Sequence, residues 1–262
     1  MMHVWRFLPF EARSAAWNMA VDEAVLQARI LDVVPNTFRL YRWSPSAVSV
    51  GRNEIVEDRV YFKAVDWFGV DVVRRCSGGG TVYHDCEGEV TYSIVAKASD
   101  LGGFSDISNV YFRIYEAVVD ALRLLGVSAD FSPGDVKNCP NLTVGGKKIS
   151  GSSQSLSRGY VLQHGTLLRS VNLDKMFQLL KIKDVSCTQA IDIGHQRMTS
   201  IVDELGHNVS VDTVANALKQ GFKTILKVQL QEASLTPFEV ELAEELYKEK
   251  YSTKEWTYNK KR

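Results

Sequence analysis

Cysteine is scarce and unpaired in this sequence. Cys76, Cys86, Cys139 and Cys187 stand singly among 262 residues, with no Cys-x-x-Cys pair and no His-x-x-x-His companion. That spacing indicates neither a zinc site nor a disulfide framework, and it suits a reducing cytoplasm. An excess of charge of one sign is missing too. Lysine plus arginine equals aspartate plus glutamate at 31 each, so no global field draws in nucleic acid or a membrane surface, and any anion site has to be local. No apolar run approaches bilayer-spanning length, and the N-terminus meets Glu11 and Asn18 where a secretory leader would have an apolar core. Fixed-period repeats and low-complexity tracts are absent. What is left is an ordinary soluble globular composition, long enough to build a core without staples.

The densest chemistry lies in Arg74-Arg75-Cys76-Ser77-Gly78-Gly79-Gly80-Thr81-Val82-Tyr83-His84-Asp85. Glycines without Cβ let successive backbone N–H groups converge on an anion. Two arginines add permanent charge and a fork that matches carboxylate or phosphate oxygens. No Gly-Lys-Ser/Thr follows, so this is not a Walker loop, and it does not fit the G-x-G-x-x-G dinucleotide pattern. A tight glycine turn with two solvated arginines is the plainer alternative.

A second cluster is Gly145-Gly146-Lys147-Lys148-Ile149-Ser150-Gly151-Ser152. Strict strand alternation points Lys148, Ser150 and Ser152 to the face opposite Lys147, Ile149 and Gly151. An inward Lys148 needs an anionic partner, because an unpaired buried charge is costly; a basic hairpin tip in water needs none. In Gln163-His164-Gly165-Thr166, a lone histidine within an apolar strand is either a hydrogen-bonded core residue or a ligand. Asp135, Lys137, Asn138 and Asn141 crowd the loop around Cys139, where they either organise Mg²⁺ and phosphate or form turns. Cys139 itself is a candidate nucleophile or a small buried residue.

Periodicity and capping predict a helix from Ser14 to about Asp32 and another opened by Ser108 and stopped by Gly126. Helices are also expected near 173–181, 211–226 and 237–251, the last with a Thr236/Glu239 capping box and Pro237 in first position. Residues 37–43 and 47–51 read as a hairpin, and 70–74 as a strand entering the glycine loop. Val90, Tyr92, Ile94 and Ala96 alternate as a half-buried strand leaving it, and 142–144, 148–155 and 160–168 form a meander. Strands in the middle and helices at both ends predict an α+β domain with a mixed, largely antiparallel sheet flanked by helices.

Taken in order, the Arg74–Asp85 motif, Lys148-Ile149-Ser150-Gly151-Ser152 and His164-Gly165-Thr166-Leu167-Leu168 resemble the lipoate–protein ligase A family, as does Asn18-Met19-Ala20-Val21-Asp22-Glu23. The resemblance implies the catalytic fold shared with biotin protein ligases, as a single domain over 1–262. It implies an ATP- and Mg²⁺-dependent ligase that activates lipoate to lipoyl-AMP. The lipoyl group would then pass to a lysine of lipoyl-domain acceptors, such as 2-oxoacid dehydrogenase acyltransferase subunits or the glycine cleavage H protein. Arg74, Arg75, Gly79, Gly80, Thr81, Val82, Tyr83, Lys137 and Lys148 would contact the adenylate, and Lys148, His84 and His164 the lipoate. Lys148 is the expected catalytic residue and Asp135 the expected metal ligand. The family's C-terminal accessory domain is expected on a separate protein, with no nucleic-acid or membrane partner. The alternative is a cysteine-dependent octanoyl or lipoyl transferase of the same fold, with Cys139 as nucleophile and no ATP; Cys139 stands closer to Lys148 than expected for that enzyme. A biotin ligase lacks support because no Gly-Arg-Gly-Arg type loop is present. A non-catalytic acyl or nucleotide carrier would not need the lysine and both arginines.

Overall fold

The computed structural model describes residues 3–102, 108–134 and 140–259. Strand β1 (His3–Arg13) leads into helix α1 (Ala15–Ile30), where the Ser14 hydroxyl accepts a hydrogen bond from the Trp17 N–H and so caps the first turn. Next come β2 (Thr37–Trp43), β3 (Ala47–Val50), α2 (Phe62–Phe68), β4 (Asp71–Arg74), β5 (Val82–His84) and β6 (Glu89–Lys97). Helix α3 (Ser108–Leu124) precedes β7 (Asp130–Ser132), β8 (Asn141–Val144), β9 (Lys147–Ser157) and β10 (Tyr160–Leu168). The chain closes through α4 (Leu173–Leu179), α5 (Cys187–Arg197), α6 (Ile201–Leu205), α7 (Val211–Leu226), β11 (Val228–Glu232), α8 (Pro237–Leu246) and α9 (Lys254–Thr257). A π-helical turn, Tyr247–Tyr251, joins the last two.

Eight strands form one mixed sheet in the order β11-β1-β2-β6-β10-β9-β8-β7, parallel only at β11/β1 and β1/β2. A second sheet has the order β4-β3-β5. Helices α3 and α7 cover one face of the large sheet, where Val110, Ile114, Val118, Leu218 and Phe222 meet Phe38, Leu40, Tyr92 and Ile94. Helix α1 and Ala243 of α8 cover the other face, against Leu8, Val95 and Leu162. The small sheet packs between α1 and a layer made by α2, α4 and α5. This is the expected α+β architecture, with helices on both sides of the sheet.

Two expectations change. Residues 37–43 and 47–51 are not a hairpin: β2 pairs with β1 and β6, whereas β3 pairs with β4 and β5. Every β3 residue is buried, so it sits as a central strand between layers, which a hairpin arm on the large sheet would not allow. Strand β6 is not half-buried either. Val90, Tyr92, Ile94 and Ala96 do face the α3/α7 core, but Glu89, Thr91 and Ser93 are buried as well, because the other face is covered. Polar residues at alternate positions therefore mark an enclosed polar surface, and it faces the site described below. Strands β1, β5, β7 and β11 and helices α2, α5, α6 and α9 carry weaker patterns that predict no element.

A buried fork ties the N-terminal strand to α8. Arg6 Nη1 donates to Glu239 Oε2 at 2.6 Å, Nη2 donates to Oε1, and Glu239 also accepts from the Thr236 N–H in the expected capping box. Both side chains are almost wholly buried. Removing one partner strands the other charge, so Glu239→Ala is expected to cost about 3–5 kcal/mol in urea unfolding, while replacing both residues with apolar ones should recover most of that loss.

Candidate active site

The glycine loop runs from β4 to β5, and its shape is set by side chains outside the glycines. Arg75 Nη1 donates to the Ser49 carbonyl at 2.9 Å and the Ser49 hydroxyl at 2.7 Å. Its Nη2 donates to the carbonyls of Gly78 at 2.9 Å and Gly80 at 2.8 Å. Because a trans peptide points its C=O and the following N–H in opposite directions, this turns the Gly79 and Thr81 N–H groups away from the guanidinium. Gly79 has φ of 80°, a conformation that glycine takes without strain.

Two histidine relays tether the loop. On β10, His164 Nδ1 meets Asp22 Oδ2 at 2.9 Å and Nε2 meets Ser77 Oγ at 2.6 Å. Asp22 also accepts from Arg39 at 2.8 Å and the Tyr41 hydroxyl at 3.0 Å. Burial works to raise the Asp22 carboxyl, but the His164 hydrogen bond and the Arg39 charge outweigh it and hold the group below the usual carboxylate value. Burial also holds His164 below 6.5 despite Asp22. The imidazole is therefore neutral, donating from Nδ1 to the carboxylate and accepting the Ser77 hydroxyl at Nε2. On β5, His84 Nδ1 meets Glu89 Oε1 at 2.7 Å and Nε2 meets Ser49 Oγ at 2.6 Å. The same Glu89 oxygen receives Trp43 Nε1 at 3.0 Å and the Thr91 hydroxyl at 2.8 Å, and the His84 ring stacks on Trp43. Ser49 and Ser77 are almost wholly buried, and each hydroxyl is engaged by a histidine, so both relays hold the loop in shape.

Of the residues expected at the site, Arg75, Gly79, Gly80, Thr81, Val82, His84, Lys148 and His164 line one cavity of about 150 Å³, with Met19, Tyr41 and Trp43 as its apolar wall. Tyr83 lies on the opposite side of β5, as strand alternation requires, in the core with Val48 and Val50. Arg74 does not line the cavity; its guanidinium is spent on five backbone carbonyls. Asp135, Lys137 and Cys139 lie outside the described residues, and among the described ones no group of three His, Cys, Asp or Glu side chains could hold a metal.

Lys148 reaches the cavity by a route that alternation does not give. Leu142 pairs with Ser150 but Thr143 pairs with Lys148, so Ile149 is an extra residue in β9. This bulge shifts the side-chain phase by one. Lys148 consequently lies over Gly151, on the face where it was not expected, and a Cβ at 151 would sit 2.7 Å from Nζ. Its backbone is fixed from α5's end, where the Thr199 N–H donates to the Lys148 carbonyl at 3.0 Å. The sequence assigns no role to Asp22, Ser49, Ser77 or Glu89, which the fold brings into the two relays. Asn18 and Asp22, polar at i,i+4 in a helix otherwise rich in alanine and valine, were the available signal for the first.

Residues 14–223 match the model of the lipoyl protein ligase A/B catalytic domain family. Octanoyltransferase LipM of Kyrpidia tusciae is 36% identical over 99% of this chain and 100% of its own length. That of Brevibacillus brevis is 34% identical over 97% and 99%. Among solved structures, a bi-partite lipoate protein ligase of Thermoplasma acidophilum aligns with a TM-score of 0.86 at 30% identity, over 100% of this chain and 98% of that one. A lipoate-protein ligase A bound with ATP gives 0.83 at 30% identity, over 98% of each. The full-length relatives named as octanoyltransferases correct the expected reaction. An ATP-dependent lipoate ligase, with ATP and Mg²⁺ as cofactors and lipoate as substrate, is set aside. The motifs did not separate the two reactions because each needs a cation and oriented amides at an acyl carbonyl.

The His164 relay predicts a pH dependence of stability. Since folding keeps His164 neutral below its ordinary 6.5, the unfolded chain binds a proton that the folded one does not. The contribution is full above pH 6.5 and is lost as pH falls through the lower folded value. Urea midpoints from pH 8 to pH 4.5 should decline below about 6.5, and His164→Gln should flatten that decline.

Proposed function

This chain belongs to the lipoyl protein ligase A/B catalytic domain family, and from that premise we propose that it is a cysteine-dependent acyltransferase. It carries an octanoyl group from a thioester donor to a lysine amine of a lipoyl-domain acceptor protein. The observation that carries this reading is the placement of Lys148 in a cavity whose lining includes Pro140, the residue after Cys139 in the chain. The other cysteines are poor candidates. Burial pushes the Cys76 thiol up to about 11, and among the described residues no cysteine lines the cavity.

In the proposed reaction the Cys139 thiolate attacks the donor thioester carbonyl. The donor sulfur leaves as a thiol, taking a proton, and an acyl-cysteine remains. The acceptor amine then attacks that carbonyl, the amide forms, and Cys139 recovers its thiol. A thioester lies above an amide in free energy, so no nucleotide is consumed. Lys148 carries the proton and offsets oxyanion charge in both steps, helped by the Gly79 and Thr81 N–H groups. The Met19, Tyr41 and Trp43 wall suits a short saturated chain. Lipoyl-domain proteins as acceptors follow from likeness to the family.

Intact-protein mass spectrometry after mixing the chain with an octanoyl thioester should show one added octanoyl group, absent in Cys139→Ala. Amide formation should proceed without ATP. Lys148→Ala should slow transfer by about 10²- to 10⁴-fold. A Cys139→Ala protein with full activity, or release of acyl-adenylate from the free acid and ATP, would overturn the reading. Gly151→Ala should leave the melting temperature near that of the parent but slow transfer, because the added methyl displaces the flexible end of Lys148 while the strand stays in place.

A further inference from the structure

The Arg74 guanidinium lies between two distant parts of the chain. Its Nη1 donates to the carbonyls of Gly51 at 3.1 Å, Arg52 at 3.1 Å and Glu54 at 2.8 Å. On the other side, Nε donates to the Trp256 carbonyl at 3.0 Å and Nη2 to the Thr257 carbonyl at 2.9 Å. The Trp256 indole N–H donates back to the Arg74 carbonyl at 2.9 Å. Only 1% of Arg74 is exposed, so both sets of carbonyls are needed to solvate a buried cation.

The turn at 51–54 is in turn the frame of the glycine loop. The Arg52 N–H donates to the Ser77 carbonyl at 2.9 Å, and Glu54 Oε2 accepts the Thr81 hydroxyl at 2.5 Å and the Gly51 N–H at 3.4 Å. Gly51 packs so closely on Gly79 that any Cβ there would collide with the Gly79 carbonyl. The C-terminal segment is anchored independently on α1, where Lys250 donates to Glu23 at 2.7 Å and the Tyr251 hydroxyl donates to the same carboxylate. Trp256 packs edge-on to Tyr251 and under the Lys250 ammonium. All of these C-terminal residues lie beyond the 14–223 span of the family match.

We infer that residues 250–257 are a positioning element for the glycine loop: Trp256 and Thr257 hold Arg74, Arg74 holds the 51–54 turn, and that turn holds Ser77 in the loop and, through it, Gly79 and Thr81 at the cavity. The expected effect on turnover rests on the acyl-transfer reading; the mechanical linkage does not. If the segment leaves, Arg74 loses two of its five acceptors, the buried cation is left under-solvated, and the turn loses its anchor.

The test compares the parent with a chain ending at Thr253 and with full-length Trp256→Ala, by amide hydrogen exchange and by steady-state kinetics. Exchange at residues 51–54 and 77–81 should rise at least about tenfold in the truncated chain, and measurably in Trp256→Ala. Strands β6 and β10 should stay protected, and KM for the acyl donor should rise more than kcat falls. Adding a synthetic peptide of residues 251–259 to the truncated chain should restore loop protection. Unchanged exchange at 51–54 and 77–81 in either folded variant would overturn the inference. So would a rise spread evenly over every strand in Trp256→Ala, which decides the matter if the truncated chain does not fold. Exchange needs no substrate, so absence of acyl transfer in the parent would count against the proposed function alone.

Discussion

A run of three glycines has no side chains with which to hold its own shape, and the site depends on the one guanidinium that supplies the missing constraint. Arg75 donates to Ser49 on β3 and to the Gly78 and Gly80 carbonyls, binding the loop to a fully buried central strand. Around it the same logic repeats. His84 holds Ser49 from Glu89, and His164 holds Ser77 from Asp22. Each histidine tether ends on a residue of the large sheet or α1, so the loop inherits the rigidity of the core. An unconstrained glycine segment would instead lose entropy each time substrate bound.

The two arginines that begin the motif are neighbours in sequence with opposite assignments. Arg75 lines the cavity; Arg74 points away from it and joins the chain's C-terminal segment to the turn beneath the loop. A pair that reads as one anion-binding fork is thus divided, because successive residues leaving a strand project to opposite sides. Lys148 illustrates the converse. Its face was mispredicted by strict alternation, since one inserted residue at Ile149 reverses the phase of everything before it.

The resemblance to lipoate ligases identified the family and the shared apparatus but not the reaction. A cation, oriented amides and an apolar slot serve a lipoyl-adenylate and an octanoyl thioester alike, because both present an acyl carbonyl on which negative charge develops. What separates them is where the activation energy enters: from a nucleotide in one case, from an existing thioester in the other. Full-length likeness to octanoyltransferases favours the second, and with it the nucleotide and its metal leave the account.

Local chemistry was sufficient for the strongly patterned elements. The Ser14 cap and its helix, the amphipathic α3 and α7, the capping box at Thr236 and the β8–β10 meander stand where periodicity and capping place them; Arg75, the glycines, Lys148 and His164, which only the family resemblance brought together, line one cavity. Those features follow from interactions within a few residues, or from residue types whose chemistry has few uses. Three things were decided only by tertiary structure. β2 and β3 belong to different sheets, the polar side of β6 is enclosed, and Asp22 and Glu89 complete the histidine relays from 142 and 5 residues away along the chain. The reason is physical: burial of a strand face, or the partner of a buried polar atom, depends on which distant surface covers it, and no local period records that.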